Sequence, residues 1–340
     1  IDPRLFKADV ARDEATLAAE LADFLRASFL GVDPEERGAS VTLFDAIDYA
    51  ADRVHRDLGD TPPAEADARL AIGFVYRRHG RLEAASEHMH AGRAIRERLY
   101  GPDDIRTLEA AEEVGYLAWL YEGDHATARA ILEATLACHE RAGRDDGPDA
   151  GWIRLKLALV DLSLDRPAEA EANLLLAEPI LVKAYGGSYA ARTTRHRATA
   201  ASLLGDHDAA VRLATRASEL CIGVSEQEYI VARSRLTLAQ VLRVAGRIDD
   251  AHEALVQAEA EFADLVAGDS IERAAIDTEW AWLALHRGAL DEATKRARAA
   301  AERYHKALKP GHPLIARSEA VVQLSLAARA EDDERRRMMT

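Results

Sequence analysis

The stretch Gly246-Arg247-Ile248-Asp249-Asp250-Ala251 decides the fold, because five other stretches of this 340-residue chain align with it without gaps. The six copies all end in alanine, and they are Gly80–Ala85, Gly123–Ala128, Asp165–Ala170, Gly205–Ala210, Gly246–Ala251 and Gly288–Ala293. Their first residues lie 43, 42, 40, 41 and 42 positions apart. A nearly constant period of this length predicts an array of repeated helical units.

Each copy has the composition of a turn between two helices. Glycine, once replaced by Asp165, adopts the left-handed backbone conformation that ends a helix at low cost. The short polar residue after it is expected to cap the second helix with its side chain. The alanine at the end of each copy lets the two helices of a pair approach closely.

Small residues also recur at two matched positions in the flanking helices. Seven residues before each turn stand Gly73, Tyr116, Ala158, Ala198, Ala239 and Ala281, and twelve residues after it stand Gly92, Thr135, Ala177, Ala217, Ala258 and Ala300. Tyr116 alone departs from this rule, and Gly115 is adjacent to it. Three matched small positions in every copy predict a conserved mode of packing within each helix pair.

The composition excludes several classes of protein. Apolar residues make up 48% and aromatic residues only 6% of the chain, and long runs rich in Ala, Leu, Glu and Arg favour helices over strands. The formal net charge of −15 disfavours nucleic-acid binding, which depends on Lys and Arg neutralising phosphates. The sequence holds no apolar run of 18 residues, so this chain is not expected to insert into a membrane.

Helices are also predicted at both ends of the array. Residues 4 to about 30 form one amphipathic pattern, with Val10, Leu17, Leu21, Leu25 and Phe29 on one face. A second helix is expected from about Thr42 to Leu58, with Thr42 and Asp45 forming a capping box. The segment from Leu314 to about Ala330 should cap the last repeat, since the ends of such arrays must be covered, and the charged residues 331–340 should fray.

These features, with the linkers Leu99–Asp104 and Lys309–Pro313, resemble the 42-residue tetratricopeptide repeats of the kinesin-light-chain type over residues 64–325. The resemblance implies an all-α fold, a right-handed α-solenoid of about six tetratricopeptide helix pairs with N- and C-terminal capping helices. It implies three regions: an N-terminal helical cap at 1–60, six repeats at 61–309, and a capping helix with its tail at 310–340.

The N-terminal region carries a second resemblance. Asp23–Leu25, Asp33–Gly38, Val41–Thr42 and Ala51–Val54 are similar to the stretch that precedes the repeats in bacterial eukaryotic-like serine/threonine kinases. Similar segments occur in some winged-helix regulators. The kinase resemblance implies an upstream cytosolic kinase domain and one transmembrane helix, with these repeats in the periplasm or another extracytoplasmic space.

No catalytic constellation is recognisable in the chain. His55–Leu58 matches the start of a kinase catalytic loop, but the position that should hold the magnesium-binding Asn is Pro62. His88-Met89-His90 lacks metal-ligand spacing, and Asp145–Asp149 lacks the spacing of a calcium loop, so it is interpreted as a linker. We therefore expect no enzyme activity, no metal and no cofactor in this chain.

The two cysteines are expected to lie two repeats apart. Cys138 and Cys221 would then be too distant for a disulfide bond, which needs Cα atoms within about 7 Å. Both are interpreted as small buried hydrophobic residues.

The inner wall of the array is the expected binding surface. Counting back from each turn along the first helix predicts exposed, groove-lining side chains, which are Arg77, Arg78, Trp152, Arg192, Arg195, Arg233, Gln240, Arg243 and Trp282. Arginine makes bidentate contacts with carboxylates, so an acidic protein or peptide segment is the expected partner. The alternative is that each arginine pairs with a neighbouring glutamate on a solvated face.

Two functional hypotheses follow. The first is an extracytoplasmic sensory or scaffold region of a receptor-like serine/threonine kinase, tethered by an upstream transmembrane helix, that binds a peptide or protein. The second is a cytosolic tetratricopeptide regulatory domain of a transcription regulator or scaffold. An upstream apolar span would favour the first, and an upstream winged helix without such a span would favour the second.

Overall fold

The computed structural model describes residues 19–20, 22–24, 26–28, 42–220 and 228–339, and every regular element from residue 42 onward is helical. From residue 42 onward the described α-helices are α1 (Leu43–Leu58), α2 (Pro62–Arg78), α3 (Leu82–Tyr100), α4 (Ile105–Leu117), α5 (His125–Arg141), α6 (Pro148–Ser163), α7 (Pro167–Tyr185), α8 (Ser188–Leu203), α9 (His207–Glu219), α10 (Glu228–Val244), α11 (Ile248–Phe262), α12 (Ile271–His286), α13 (Leu290–Ala307) and α14 (Pro313–Met339). A π-helical segment, Ala118–Glu122, follows α4. The expected all-helical array of paired helices is confirmed.

The chain divides into two compact units, residues 1–114 and residues 115–340, called here the first and second units. The described part of the first unit contains α1 to α3 and most of α4. The second unit contains the end of α4 and everything that follows.

All six predicted turns take the left-handed conformation. The five glycines have φ values between 72° and 82°, and Asp165, which replaces glycine in the third copy, has φ 57°. In each copy the second residue, which follows the left-handed one, donates its backbone N–H to a carbonyl of the preceding helix, as Arg247 does to Leu242 O at 2.9 Å. These bonds close the end of the first helix in each pair.

The expectation of a polar cap on every second helix is wrong. Asp124 and Asp206 do accept hydrogen bonds from the backbone N–H groups of Thr127 and Ala209. Arg81, Arg166, Arg247 and Ala289 occupy the same position in the other copies and make no side-chain cap. The left-handed turn and its backbone bonds define the connection, so a capping side chain is not required there.

The small residues form the contact within each pair, as predicted. The six turn-associated alanines, from Ala85 to Ala293, have no exposed surface. In the first pair, a Cβ on Gly73 would lie 2.7 Å from Met89 Cγ, and one on Gly92 would lie 2.9 Å from Leu70 Cγ. Because interiors are packed at crystal-like density, neither position has room for a side chain without movement of its neighbour.

The π-helical segment explains why Tyr116 departs from the small-residue pattern. A π-turn inserts one extra residue into a helix, so counting back from Gly123 falls one position too late. Gly115 is the buried residue that takes the small position, and a Cβ there would lie 3.1 Å from Ile131 Cγ2 on α5. The extra residue leaves Tyr116 half-buried, with its ring 5.4 Å from that of Trp119.

The predicted cap before the repeats is confirmed where it is described. Helix α1 begins after Thr42, whose hydroxyl and backbone N–H both pair with Asp45 in a capping box. The Tyr76 hydroxyl on α2 donates to Asp48 of α1 at 2.8 Å. Residues 1–18 and the Asp33–Gly38 segment, on which the first helix and part of the kinase resemblance rest, lie outside the described residues.

Helix α14 covers the last repeat, as expected. Val321 and Val322 pack with Ala281 and Ala297 of the sixth pair. The helix continues to Met339, so the described part of the predicted frayed tail is helical. No described helix is long and apolar enough to cross a membrane.

Within the second unit, the linker before α14 returns to the second repeat. The Lys309 N–H donates to Tyr121 O at 3.0 Å, and His312 Nε2 lies 3.4 Å from Trp119 O. The His312 side chain is buried, and burial lowers its pKa. The two ends of the second unit therefore meet, which the repeat pattern alone did not predict.

Of the two cysteines, Cys138 is half-buried rather than buried. Cys221 lies outside the described residues.

The close contact within each helix pair predicts that a larger side chain in place of the turn-associated alanine destabilises the protein. Ala251→Leu should lower the free energy of unfolding by about 1 to 3 kcal/mol, because the new side chain overpacks a closed interface. Urea denaturation would measure this loss. Glu253→Leu is the matched control, since Glu253 is exposed on the same helix, and equal tolerance of both changes would contradict the assigned packing.

The contact between the ends of the second unit predicts a difference between two turn glycines. Gly123→Ala and Gly246→Ala both place a side chain in the left-handed region, with φ 72° and 77°, at a cost of about 1 to 2 kcal/mol. A Cβ on Gly123 would also lie 2.6 Å from Pro313 Cδ, whereas a Cβ on Gly246 meets nothing within 4 Å. Gly123→Ala should therefore be the more destabilising change in urea denaturation, and equal losses would argue against the contact.

Candidate functional site

The first helices of successive pairs present polar side chains at a repeated spacing. Arg195 and Arg197 on α8, and Arg233 and Arg235 on α10, are each two residues apart and therefore point to different sides of their helix. The later member of each couple pairs with a carboxylate on a second helix: Arg197 Nε lies 2.8 Å from Glu171, and Arg235 Nη2 lies 3.2 Å from Glu261. The earlier members, Arg195 and Arg233, point to another side of their helices.

Arg192, Arg195 and Arg233 are called here the arginine cluster. All three are half-buried. Burial, followed by the charges of Arg233 and Arg192, lowers the pKa of Arg195 to about 9. Like charges act at this strength only when they are close together in a poorly solvated place.

The members of the arginine cluster differ from their neighbours in having no direct ion pair within the described part of the chain. None of its members forms an ion pair with a described carboxylate, although many other arginines do. The Nε–H of Arg195 is buried and donates to no described acceptor. At neutral pH the cluster is therefore a concentration of positive charge in a chain whose net charge is −15.

Neighbouring groups interact with these arginines, but none of them neutralises the positive charge of Arg195. The Arg195 Nη2 lies 2.9 Å from His196 Nε2, and burial together with the charge of Arg195 lowers the pKa of His196 well below its usual value. His196 is therefore neutral and can accept this hydrogen bond. Burial lowers the pKa of Arg233, but the acidic groups around it, Tyr229 and Glu272 among them, together raise that pKa above its ordinary value.

The Tyr229 hydroxyl donates to Glu272 at 2.7 Å, and burial raises the pKa of Tyr229. This carboxylate is thereby engaged with a tyrosine and does not form an ion pair with Arg233 in the described chain.

Aromatic side chains stand beside the arginine cluster. Trp152, Tyr185 and Tyr189, called here the aromatic rim, have ring centroids 5.2 to 6.1 Å apart. The Arg192 guanidinium lies 5.6 Å from the Trp152 ring and 5.3 Å from the Tyr189 ring. These cation–π contacts orient Arg192 while leaving its hydrogen-bond donors available.

The π-helical segment brings a further ring toward the same place. The Tyr116 ring centroid is 5.1 Å from the Lys156 ammonium. π-Turns are frequent at functional sites because they re-aim side chains within a helix. The arrangement as a whole suits recognition of an anion attached to an apolar or aromatic group.

The structure brings together four of the nine sequence-predicted groove residues, namely Trp152, Arg192, Arg195 and Arg233. Of the others, Gln240 is half-buried on α10. Arg77 and Arg78 lie in the first unit, where Arg77 forms a 3.2 Å ion pair with Glu113 and both guanidinium groups stand over Phe74.

The expectation of exposed side chains is wrong for all nine residues except Arg78, and Arg243 departs from it furthest. The Arg243 side chain is 11% exposed, and its Nε lies 2.8 Å from a carboxylate oxygen of Glu279, which is 2% exposed. The guanidinium also lies 5.4 Å from the half-buried ring of Trp282. This ion pair joins α10 to α12, so reversal of the Arg243 charge should lower stability.

Sequence reasoning missed Tyr116, Lys156, Tyr189, His196 and Tyr229. Tyr189 and Tyr229 lie one helical turn before the counted positions, so a longer count would have found them. Tyr116 was assigned to the packing pattern because a π-turn has no recognisable sequence signal here. His196 and Lys156 gave no signal apart from their position next to the counted residues.

Two surface clefts elsewhere are less suited to binding a charged partner. One in the first unit, of about 230 Å³, is lined by Leu70, Phe74 and Met89, and Arg96 at its edge already pairs with Asp67. Another lies between α13 and α14 and contains the Arg329–Asp291 ion pair. Among the described residues, no group of three or more His, Cys, Asp or Glu side chains could hold a metal ion.

Residues 66–106 match a family model described as tetratricopeptide repeat. A search of curated proteins found no match. Among solved structures, a tetratricopeptide repeat protein from Parabacteroides merdae is similar with a TM-score of 0.57 and 13% identity, covering 91% of this chain and 99% of that one. A Rap protein complexed with competence and sporulation factor has a TM-score of 0.58 and 13% identity, covering 93% and 99%. At this level of identity the likenesses show the fold alone.

Repeats of kinesin-light-chain type from Podosopora anserina are also similar, with a TM-score of 0.46 and 20% identity over 60% of this chain and 97% of that one. These similarities give the kinase resemblance no support.

The two kinds of arginine predict opposite effects on stability. Arg243→Gln should lower the free energy of unfolding by about 3 kcal/mol, because it leaves the buried Glu279 with only the more distant Arg317, at 3.7 Å. Arg195→Gln should leave stability at or above that of the wild type, since it removes a charge that has like-charged neighbours. Urea denaturation of both variants tests this, and an equal loss would show that Arg195 is a structural residue.

Proposed function

We propose that this chain is a non-catalytic partner-binding region whose second unit binds an acidic peptide or protein segment at the arginine cluster. The observation that carries the proposal is the contrast between arginines on the same helices. Arg197 and Arg235 each have a carboxylate partner within 3.2 Å, whereas Arg195 and Arg233 have none in the described chain. A ligand carboxylate would supply the missing counter-charge.

The cost of assembling the cluster supports a binding role. The guanidinium of Arg195 is held in a half-buried place beside the charges of Arg233 and Arg192, which disfavours its charged form, and no ion pair with Arg195 offsets this in the described chain. Perturbed groups of this kind concentrate at functional sites. An anionic ligand would gain bidentate hydrogen bonds there, in surroundings less polar than water.

The aromatic rim would supply the second part of the recognition. Its rings offer apolar area at little conformational cost, and tyrosine, tryptophan and arginine are the residues that dominate binding energy at interfaces. A segment with an acidic side chain and a neighbouring apolar one would engage both parts. This two-part requirement would make binding selective among acidic sequences.

The comparisons support a protein-binding role in general terms. Tetratricopeptide repeats are helical arrays with extended binding surfaces. The Rap protein of similar fold is described in complex with competence and sporulation factor. We extend to this chain the use of such a fold to bind a small protein or peptide.

For the cellular setting, we propose a cytosolic regulatory protein in preference to the extracytoplasmic part of a receptor-like kinase. Similar folds include two Rap proteins and aspartyl phosphate phosphatase F from Bacillus subtilis, the last with a TM-score of 0.52 and 13% identity. A reporter that is active only outside the cytoplasm, fused to the C-terminus of the full-length product, should be inactive. Activity of that reporter would restore the kinase hypothesis.

Selection from a displayed library of random peptides tests the binding proposal. The wild-type chain should retain peptides enriched in Asp and Glu, and raising the salt concentration should weaken retention. An Arg195→Gln/Arg233→Gln double variant should lose this enrichment because it lacks two of the three charges.

Arg154→Gln is the matched control, since Arg154 pairs with Glu140 and lies outside the cluster. It should select the same acidic peptides as the wild type. The proposal fails if the wild-type chain shows no acidic enrichment, or if the folded double variant selects the same sequences.

A further inference from the structure

The geometry points to a more specific ligand chemistry: we propose that the arginine cluster receives a phosphorylated side chain of the partner segment. This inference rests on the proposed function, since it names the anionic group that the same site would bind. It depends on the number of cationic groups and on their unused hydrogen-bond donors.

The first step is the balance of charge. Arg192, Arg195 and Arg233 carry three positive charges near neutral pH, and no described carboxylate pairs with any of them. One carboxylate would bring a single negative charge and leave most of the repulsion in place. A phosphate monoester brings about −1.5 to −2 at pH 7, so one group would neutralise most of the cluster.

The second step is the number of donors and acceptors. A phosphoryl group presents three strong acceptor oxygens in a tetrahedral arrangement, and each can accept from a guanidinium fork. The Nε–H of Arg195 is buried and donates to no described acceptor. His196 accepts from Nη2 of the same guanidinium at 2.9 Å, which restricts its orientation.

The third step is the placement of Arg192. Its guanidinium lies within 5.6 Å of the Trp152 and Tyr189 rings, which hold it by cation–π contacts and not by an ion pair. Its charge and its donors are thus both retained for a ligand. Arginine, rather than lysine, suits such a site because its planar fork matches oxyanion geometry.

Titration calorimetry on the whole chain with inorganic phosphate, O-phospho-L-serine and succinate tests the inference at pH 7.5. Phosphate and phosphoserine should both bind saturably with a stoichiometry of one. Succinate, which carries two carboxylates, should bind at least about tenfold more weakly, because the single phosphoryl group fits the three forks. Thermal denaturation at the same concentrations gives a second readout.

Arg195→Gln and Arg233→Gln should each reduce phosphate affinity by about tenfold or more, and Arg154→Gln should leave it unchanged. Arg195→Lys keeps the charge but loses the fork, so it should recover only part of the affinity. Since phosphate stabilises many proteins without binding a site, only the difference between the wild-type chain and the folded double variant Arg195→Gln/Arg233→Gln is counted in the thermal measurement.

Three results would overturn the inference: no saturable phosphate binding, equal or tighter binding of succinate, and binding of phosphate without phosphoserine, which would indicate a site for free phosphate. The peptide selection separates these failures from failure of the proposed function. Acidic enrichment without phosphate binding would leave the partner-binding role intact and remove only the phosphoryl assignment. Phosphate binding without acidic enrichment would instead contradict the binding of acidic segments.

Discussion

The close approach of two helices at small side chains is the constraint on which the rest of this structure depends. Every turn-associated alanine is fully buried, and the matched positions in the flanking helices hold residues no larger than threonine once the π-turn is counted. Because the small residues set the distance between the two helices of a pair, the first helix of each pair packs one face against its partner and can present another face to a ligand. The arginine cluster can form only because α8 and α10 present their available faces in the same direction.

Repetition made most of the fold predictable, since six copies of one turn report the same local physics. Glycine at the left-handed position and alanine five residues later were sufficient to identify the pairs, and even Asp165 adopts the left-handed conformation. The features that the sequence did not predict are those without a periodic signal. The π-turn shifts Tyr116 by one residue, and the contact of His312 with Trp119 joins positions 193 residues apart.

The candidate site was predictable in part for the same reason. Counting from the turns finds Arg192, Arg195 and Arg233, because helical spacing decides which residues share a face. It also finds Arg243, which forms a buried ion pair with Glu279, 36 residues away. Whether an arginine has a partner depends on the neighbouring pair of helices, and a count along one helix does not contain that information.

The central claim is that Arg195 and Arg233 repel each other in the unliganded protein. A double-mutant cycle with Arg195→Gln, Arg233→Gln and the double variant, followed by urea denaturation at low salt, measures this interaction directly. We expect an unfavourable interaction energy between the two arginines, so that each substitution gains less stability when the other is already present than it does in the wild type, and we expect added salt to reduce this energy. An interaction energy of zero, or one that favours the folded wild type, would contradict this expectation.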